Sequence, residues 1–222
     1  MTDPARPGKI VCVGRNYVAH ARELGNEVPE RPLLFLKPPS SVITAGAPIV
    51  LPPESAQVEY EGEIGVVVGV RLRHGGEAEA RAAVRGIVAL NDVTARDLQR
   101  TDGQWTRAKG FDTFCPIGPE ATAPADLASL EVVTRVNGAE RQRGTAGQMA
   151  FPIPAILAYV SGIMTLEPGD VVATGTPAGV GRLEHGDEVE VEVVGLSVVR
   201  NPVQSADVGR AGSVRNRHDP QG

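Results

Sequence analysis

Glu59, Glu61 and Glu63 alternate within Val58-Glu59-Tyr60-Glu61-Gly62-Glu63-Ile64-Gly65-Val66-Val67-Val68. In an extended strand alternate side chains share a face, so these three carboxylates point the same way. Like charges on one face repel, and the strand runs on into valines that belong inside the protein. Carboxylates drawn into such a place need a partner, and a cation is the simplest one. The same spacing suits a solvated acidic edge strand, which spacing alone slightly favours. Asp92 shifts the balance. It follows the apolar run Gly86-Ile87-Val88-Ala89-Leu90, at a strand end where ligand-binding groups often emerge. Glu61, Glu63 and Asp92 together make an all-oxygen set suited to Mg²⁺, Mn²⁺ or Ca²⁺ rather than zinc. Three ligands leave positions on an octahedral ion for water and a chelating molecule. Taken alone, Asp92 serves equally well as the N-cap of a helix over Thr94-Ala95-Arg96-Asp97-Leu98.

Two further groups carry candidate chemistry. His20 and Glu23 are three apart and share a face if helical. A carboxylate beside an imidazole fixes its tautomer and raises its basicity, which is how a general base for water is built; an ordinary surface contact has the same spacing. Thr174-Gly175-Thr176-Pro177-Ala178-Gly179-Val180-Gly181 is a glycine-rich turn without the ending of a phosphate loop or the helix opening of a dinucleotide site. Its N–H groups and hydroxyls suit a small carboxylate. Lysine is rare: Lys9, Lys37 and Lys109 are the whole set. In a chain that otherwise uses arginine, a retained lysine marks a candidate position where arginine will not serve; chance and coding bias account for any single lysine equally well, so the idea gains weight only inside a motif.

The elements that must position these groups are short. Residues 9–14, Leu33 to Lys37, Val58 to Val70, Gly86 to Leu90, Val171 to Thr174 and Glu188 to Val194 read as strands. Arg15 to Leu24, with Asn16 a possible cap, Glu77 to Val84 and the proline-opened Pro154 to Ser161 read as helices. Leu130 to Val136 followed by Asn137-Gly138 predicts a hairpin on a type I′ turn. With 26 glycines and 18 prolines, the pattern is β-dominated α+β rather than a helical bundle. A chain of 222 residues buries roughly 70% of its unfolded surface and needs no staples. The two cysteines, Cys12 and Cys115, lie far apart, which argues against a disulfide framework or thiolate zinc site.

The net charge is -5 and aromatics are 4%, with no basic stripe, so nucleic-acid binding is not expected. No signal peptide and no apolar stretch of the ~20 residues that span a bilayer is visible, which predicts a cytoplasmic protein without membrane contact. Residues 204–222 are polar and read as a poorly ordered tail.

Several of these segments resemble, in order, the fumarylacetoacetate hydrolase superfamily. They are Val11-Cys12-Val13-Gly14-Arg15-Asn16-Tyr17 with His20, Leu34-Phe35-Leu36-Lys37-Pro38, Tyr60-Glu61-Gly62-Glu63-Ile64, Asn91-Asp92-Val93-Thr94-Ala95-Arg96-Asp97, Lys109-Gly110-Phe111-Asp112-Thr113 and the Thr174–Gly181 turn. The likeness covers about Lys9 to Pro202. It implies a mixed β-sandwich roll forming one catalytic domain over residues 9–203, after a short extension over 1–8, and a homodimer. It implies Mg²⁺ or Mn²⁺ on Glu61, Glu63 and Asp92, with Glu59 outside the ligand set. His20 and Glu23 would sit on a lid, Lys109 would be the active-site lysine, and Gln99, Thr176 and Arg15 would contact the carboxylate end of a small 2-oxo acid. Lys37 is left structural or unassigned. The short form looks like the acylpyruvase and oxaloacetate decarboxylase branch, or the related hydroxyheptadienedioate isomerases. A metal-stabilised binding protein without catalysis is the alternative from another class.

Overall fold

The structure, a computed structural model, describes residues 7–23, 25 and 27–206. A six-stranded mixed sheet runs in the order Ala121–Thr122, Val84–Asn91, Gly62–Val68, Val171–Ala173, Ile10–Gly14, Leu33–Lys37. Only Ile10–Gly14 and Val171–Ala173 are parallel neighbours in it. A five-stranded sheet runs Ala139–Thr145, Glu131–Val136, Glu188–Val193, Ser197–Ser205, Ile49–Leu51. The alternation of Gly62–Val68 explains the layers. Ile64, Val66 and Val68 join Val132, Val191, Val193 and Val199 of the second sheet, and Ile156, Leu157 and Val160 of the helix Ile153–Ile163, in the main core. The opposite face places Val67 with Ile10, Cys12 and Leu90 in a smaller core, and Glu63 at its end. The expected β-dominated sandwich is present.

The structure divides the long strand expected over Val58 to Val70. Val58–Tyr60 pairs with Thr94–Ala95 and Gly181–Arg182 in a three-stranded sheet, while Gly62–Val68 belongs to the six-stranded one. The switch falls at Glu61, whose N–H donates to the Asn91 side chain at 3.0 Å, while its carbonyl accepts from the Asp92 N–H at 2.8 Å. Gly62 is required there: a Cβ would lie 1.9 Å from Thr134 Oγ1 of the second sheet. A glycine between two glutamates lets the sheets close while both carboxylates point away from them.

The Asn137-Gly138 hairpin forms as expected, with φ of 52° and 77° and Val136 opposite Ala139, the signature of a type I′ turn. Two expected helices are shorter, at Val18–Glu23 and Glu77–Ala82, and the one expected over Pro154 to Ser161 is longer, at Ile153–Ile163. Asn16 caps no helix. Its buried amide donates to the Thr174 and Phe151 carbonyls and accepts from Phe151 N–H, tying the end of the first strand to the glycine-rich turn. The strand Ser197–Ser205 was not expected. It includes Gln204 and Ser205, which the polar composition had assigned to the tail, and pairs them with Val50 and Leu51. Residues 207–222, the rest of that tail, lie outside the described residues.

Candidate metal centre

Gly62–Val68 and Val84–Asn91 are antiparallel neighbours with Gly62 opposite Asn91, which brings Glu61 and Glu63 beside Asp92. One oxygen from each of the three lies within 4.8 Å of the others, and all three residues are buried. Asp92 is not a helix cap: the next helix is Arg96–Thr101, preceded by Ala95. Buried carboxylates at this spacing are unfavourable without positive charge, and the protein provides it in three places. Lys109 Nζ, on the short helix Thr106–Lys109, donates to Glu61 Oε2 at 2.7 Å and Asp92 Oδ2 at 2.6 Å. Lys37 Nζ donates to Asp92 Oδ1 at 2.7 Å and to the Val93 carbonyl at 3.1 Å. Arg96 bridges Glu59, at 2.7 Å, and Glu61.

These contacts separate the four carboxylates. Glu59 is taken up by Arg96 and by Gln57, which donates at 2.6 Å, and it stands outside the group that converges. Glu63 receives the Gly175 N–H at 2.7 Å. Its carboxyl is held well above the usual range, by burial first and then by the charges of Asp92 and Glu61. Burial also pushes Glu61 up, but the combined charges of Lys109, Arg96 and His20 overcome this and hold it well below the ordinary range. Lys109 is raised: burial opposes its charge, while Asp92 and Glu61 favour it more. The donor set fits one hard divalent cation, because the three buried ligands are all oxygen and Glu63 lacks a cationic partner among the described residues.

A cavity of about 440 Å³ opens onto these groups. Arg15, His20, Glu23, Gln99, Lys109 and Thr176 line it with the three carboxylates, whereas Glu59, Lys9 and Lys37 do not. His20 is buried, and its Nδ1 lies 3.2 Å from Glu23 Oε2. Arg15 directly follows the first strand with φ of 59°, a left-handed conformation uncommon for a side chain of its size. Gln99 accepts from Arg96 at 2.6 Å. The Thr176 hydroxyl donates to the Gly62 carbonyl at 2.9 Å and accepts from Gln142 at 2.8 Å, so its proton is already committed. Phe35 and Trp105, with ring centroids 5.3 Å apart, form the apolar wall, and Lys109 Nζ lies 4.9 Å from the Phe35 ring centroid.

Sequence reasoning left Lys37 without a role and missed Arg96. Each had a signal. Lys37 ends an apolar strand, where an ammonium has no reason to be unless something answers it. Arg96 lies four residues after Asp92, and the face of Glu59 required a cation that need not be a metal.

A buried all-oxygen triad in a mixed β-sandwich, opening on a cavity with a lysine and a His–Glu pair, is a candidate divalent-cation site beside acid–base groups. The chain belongs to the fumarylacetoacetate hydrolase family: residues 9–204 match the domain described as fumarylacetoacetate (FAA) hydrolase C-terminal. It is 43% identical over 210 residues to the mitochondrial oxaloacetate tautomerase of Homo sapiens, covering 89% of this chain and 67% of that protein. The crystal structure of 2-hydroxyhepta-2,4-diene-1,7-dioate isomerase from Mycobacterium marinum superposes with a TM-score of 0.83 at 42% identity, over 91% of this chain and 76% of that one. Fumarylpyruvate hydrolase from Pseudomonas aeruginosa, solved with Mn²⁺ and pyruvate, superposes with a TM-score of 0.84 at 30% identity, over 90% of each chain. No helix among the described residues is long and apolar enough to cross a membrane.

Proposed function

We propose that this protein is a divalent-metal-dependent hydrolase cleaving the C–C bond of small acylpyruvate-type 2,4-dioxo acids. The observation that carries this reading is the His20–Glu23 pair lining the same cavity as the acidic triad and Lys109. Mg²⁺ or Mn²⁺ held by Glu61, Glu63 and Asp92 would supply Lewis acidity to the 2-oxo acid end of the substrate. Arg15 and Gln99 would orient its carboxylate, and Lys109, kept protonated by its two carboxylates, would offset negative charge developing on the oxygens. With Nδ1–H donated to Glu23, the other imidazole nitrogen of His20 is free to take a proton from water. The water oxygen bonds to C4, and the C3–C4 bond breaks with its electron pair remaining on C3. C3 then takes up a proton, giving pyruvate and a carboxylic acid.

The same arrangement would allow oxaloacetate to lose carbon dioxide through the same pyruvate enolate, with no attacking water. Turnover of acetylpyruvate and oxaloacetate with Mg²⁺ or Mn²⁺ tests both activities. His20→Ala should abolish acetylpyruvate cleavage and leave oxaloacetate decarboxylation; equal loss of both would remove His20 as the water's base. Cleavage that survives thorough chelation would sink the metal-dependent mechanism. A second reading, keto–enol tautomerisation of oxaloacetate, is favoured by the identity to the human tautomerase. It would show as rapid decay of enol-oxaloacetate absorbance in an enzyme that leaves acetylpyruvate intact.

A further inference from the structure

Glu23 is held from a second direction that its pairing with His20 does not explain. The Gly179 N–H lies 3.1 and 3.2 Å from its two carboxylate oxygens. Gly179 is in turn held on its other side, where its carbonyl accepts from Tyr60 Oη at 2.9 Å. Its φ is +100°, and a Cβ would lie 2.2 Å from the Arg141 carbonyl oxygen, so the chain has no alternative residue at that point. Tyr60 itself is well anchored. It pairs with Gly181 across the three-stranded sheet, its ring fills the space a Gly181 side chain would occupy, and it directly precedes Glu61. A continuous path therefore runs from the carboxylate-bearing strand through Tyr60, Gly179 and Glu23 to His20. Glu23 ends a helix of only six residues, too short to hold a side chain's direction through its own backbone.

We propose that Tyr60 is a positioning residue: its hydroxyl holds Gly179 so that the Gly179 amide aims Glu23, and through Glu23 the His20 ring, into the cavity. The hydroxyl touches no residue that converges on the cation site. Its removal should change the aim of the His–Glu pair and leave cation binding alone. This inference rests on the hydrolytic reading only for its kinetic consequence.

The test is Tyr60→Phe in the full chain, which keeps the ring over Gly181. Hydrogen–deuterium exchange with saturating Mg²⁺ should quicken at Gly179 and across residues 18–23 by roughly three- to tenfold, the range of one neutral hydrogen bond. Exchange in Gly62–Val68 should stay as in the parent, and Mg²⁺ affinity by calorimetry should not move. On acetylpyruvate kcat should fall by a similar factor at unchanged KM. Glu23→Ala should quicken exchange at Gly179 to the same extent, reporting on the path from its other end. Unchanged exchange over residues 18–23 in Tyr60→Phe, or a uniform rise through both sheets, overturns the proposal. If the parent protein does not cleave acetylpyruvate, the hydrolytic reading fails by itself, and the exchange and calorimetry still decide the role of Tyr60.

Discussion

Lys37→Met replaces a buried ammonium by an apolar side chain of similar length. The Lys37 and Asp92 side chains are 0% and 1% exposed, so solvent cannot take over the lost partner. Removing one member of a buried ion pair costs about 3–5 kcal/mol, because the other charge is left uncompensated. Asp92 keeps Lys109 at 2.6 Å, which places the expected loss near the lower end, about 3 kcal/mol in the metal-free protein. For a chain of this size that is roughly 6–12 °C in Tm, at about 2–4 °C per kcal/mol. A divalent cation on the triad would supply the charge that Lys37 no longer does, and no ammonium would oppose it from behind Asp92. The rise in Tm on adding Mg²⁺ or Mn²⁺ should therefore be larger in the variant than in the parent. Differential scanning calorimetry of both proteins, with chelator and with saturating metal, gives the four values required. A metal-induced rise that is equal or smaller in Lys37→Met would refute the electrostatic coupling of Lys37 to the site.

Four further outcomes follow from the same geometry. Gly62→Ala forces a methyl group onto Thr134 Oγ1; overpacking of this kind costs about 1–3 kcal/mol, and separation of Glu61 from Glu63 should weaken Mg²⁺ binding measured by calorimetry. Because burial, Asp92 and Glu61 hold Glu63 well above its ordinary range, metal binding should expel its proton, giving buffer-dependent binding enthalpies and an affinity that falls as pH falls. Without metal, Glu63 favours the folded state at low pH and loses that contribution as pH rises through its raised value. Glu61, depressed by Lys109, Arg96 and His20 against burial, contributes above the ordinary carboxylate range and loses its share as pH falls below it; melts across pH with chelator present would show the two opposed slopes. Cys12 and Cys115 are buried, with the Cys115 thiol pushed up to about 12, chiefly by burial, so the native protein at pH 8 should resist a thiol reagent that labels both once it is unfolded.

Local pattern was sufficient for much of this protein. The Asn137-Gly138 turn and the apolar strands were legible because strand period and turn chemistry act over a few residues. The i,i+3 spacing marked His20 and Glu23, while the ordered motifs of the family resemblance were needed to select Glu61, Glu63 and Asp92 and to assign Lys109. Other features depended on residues distant in the chain. Nothing within Val58 to Val70 announces a break at Glu61; the break exists because Asn91, thirty residues on, takes the N–H that would have continued the ladder. Asn16 looked like a helix cap because capping is a local option, but its amide found partners at Phe151 and Thr174. Which cation answers which carboxylate was likewise a tertiary decision, since charges interact through space: Arg96 took Glu59, Lys37 took the back of Asp92, and Glu63 was left for a metal. The residue types and their order determined that a carboxylate site exists. Tertiary packing decided which cation answers each carboxylate and how the His20–Glu23 pair is held above them.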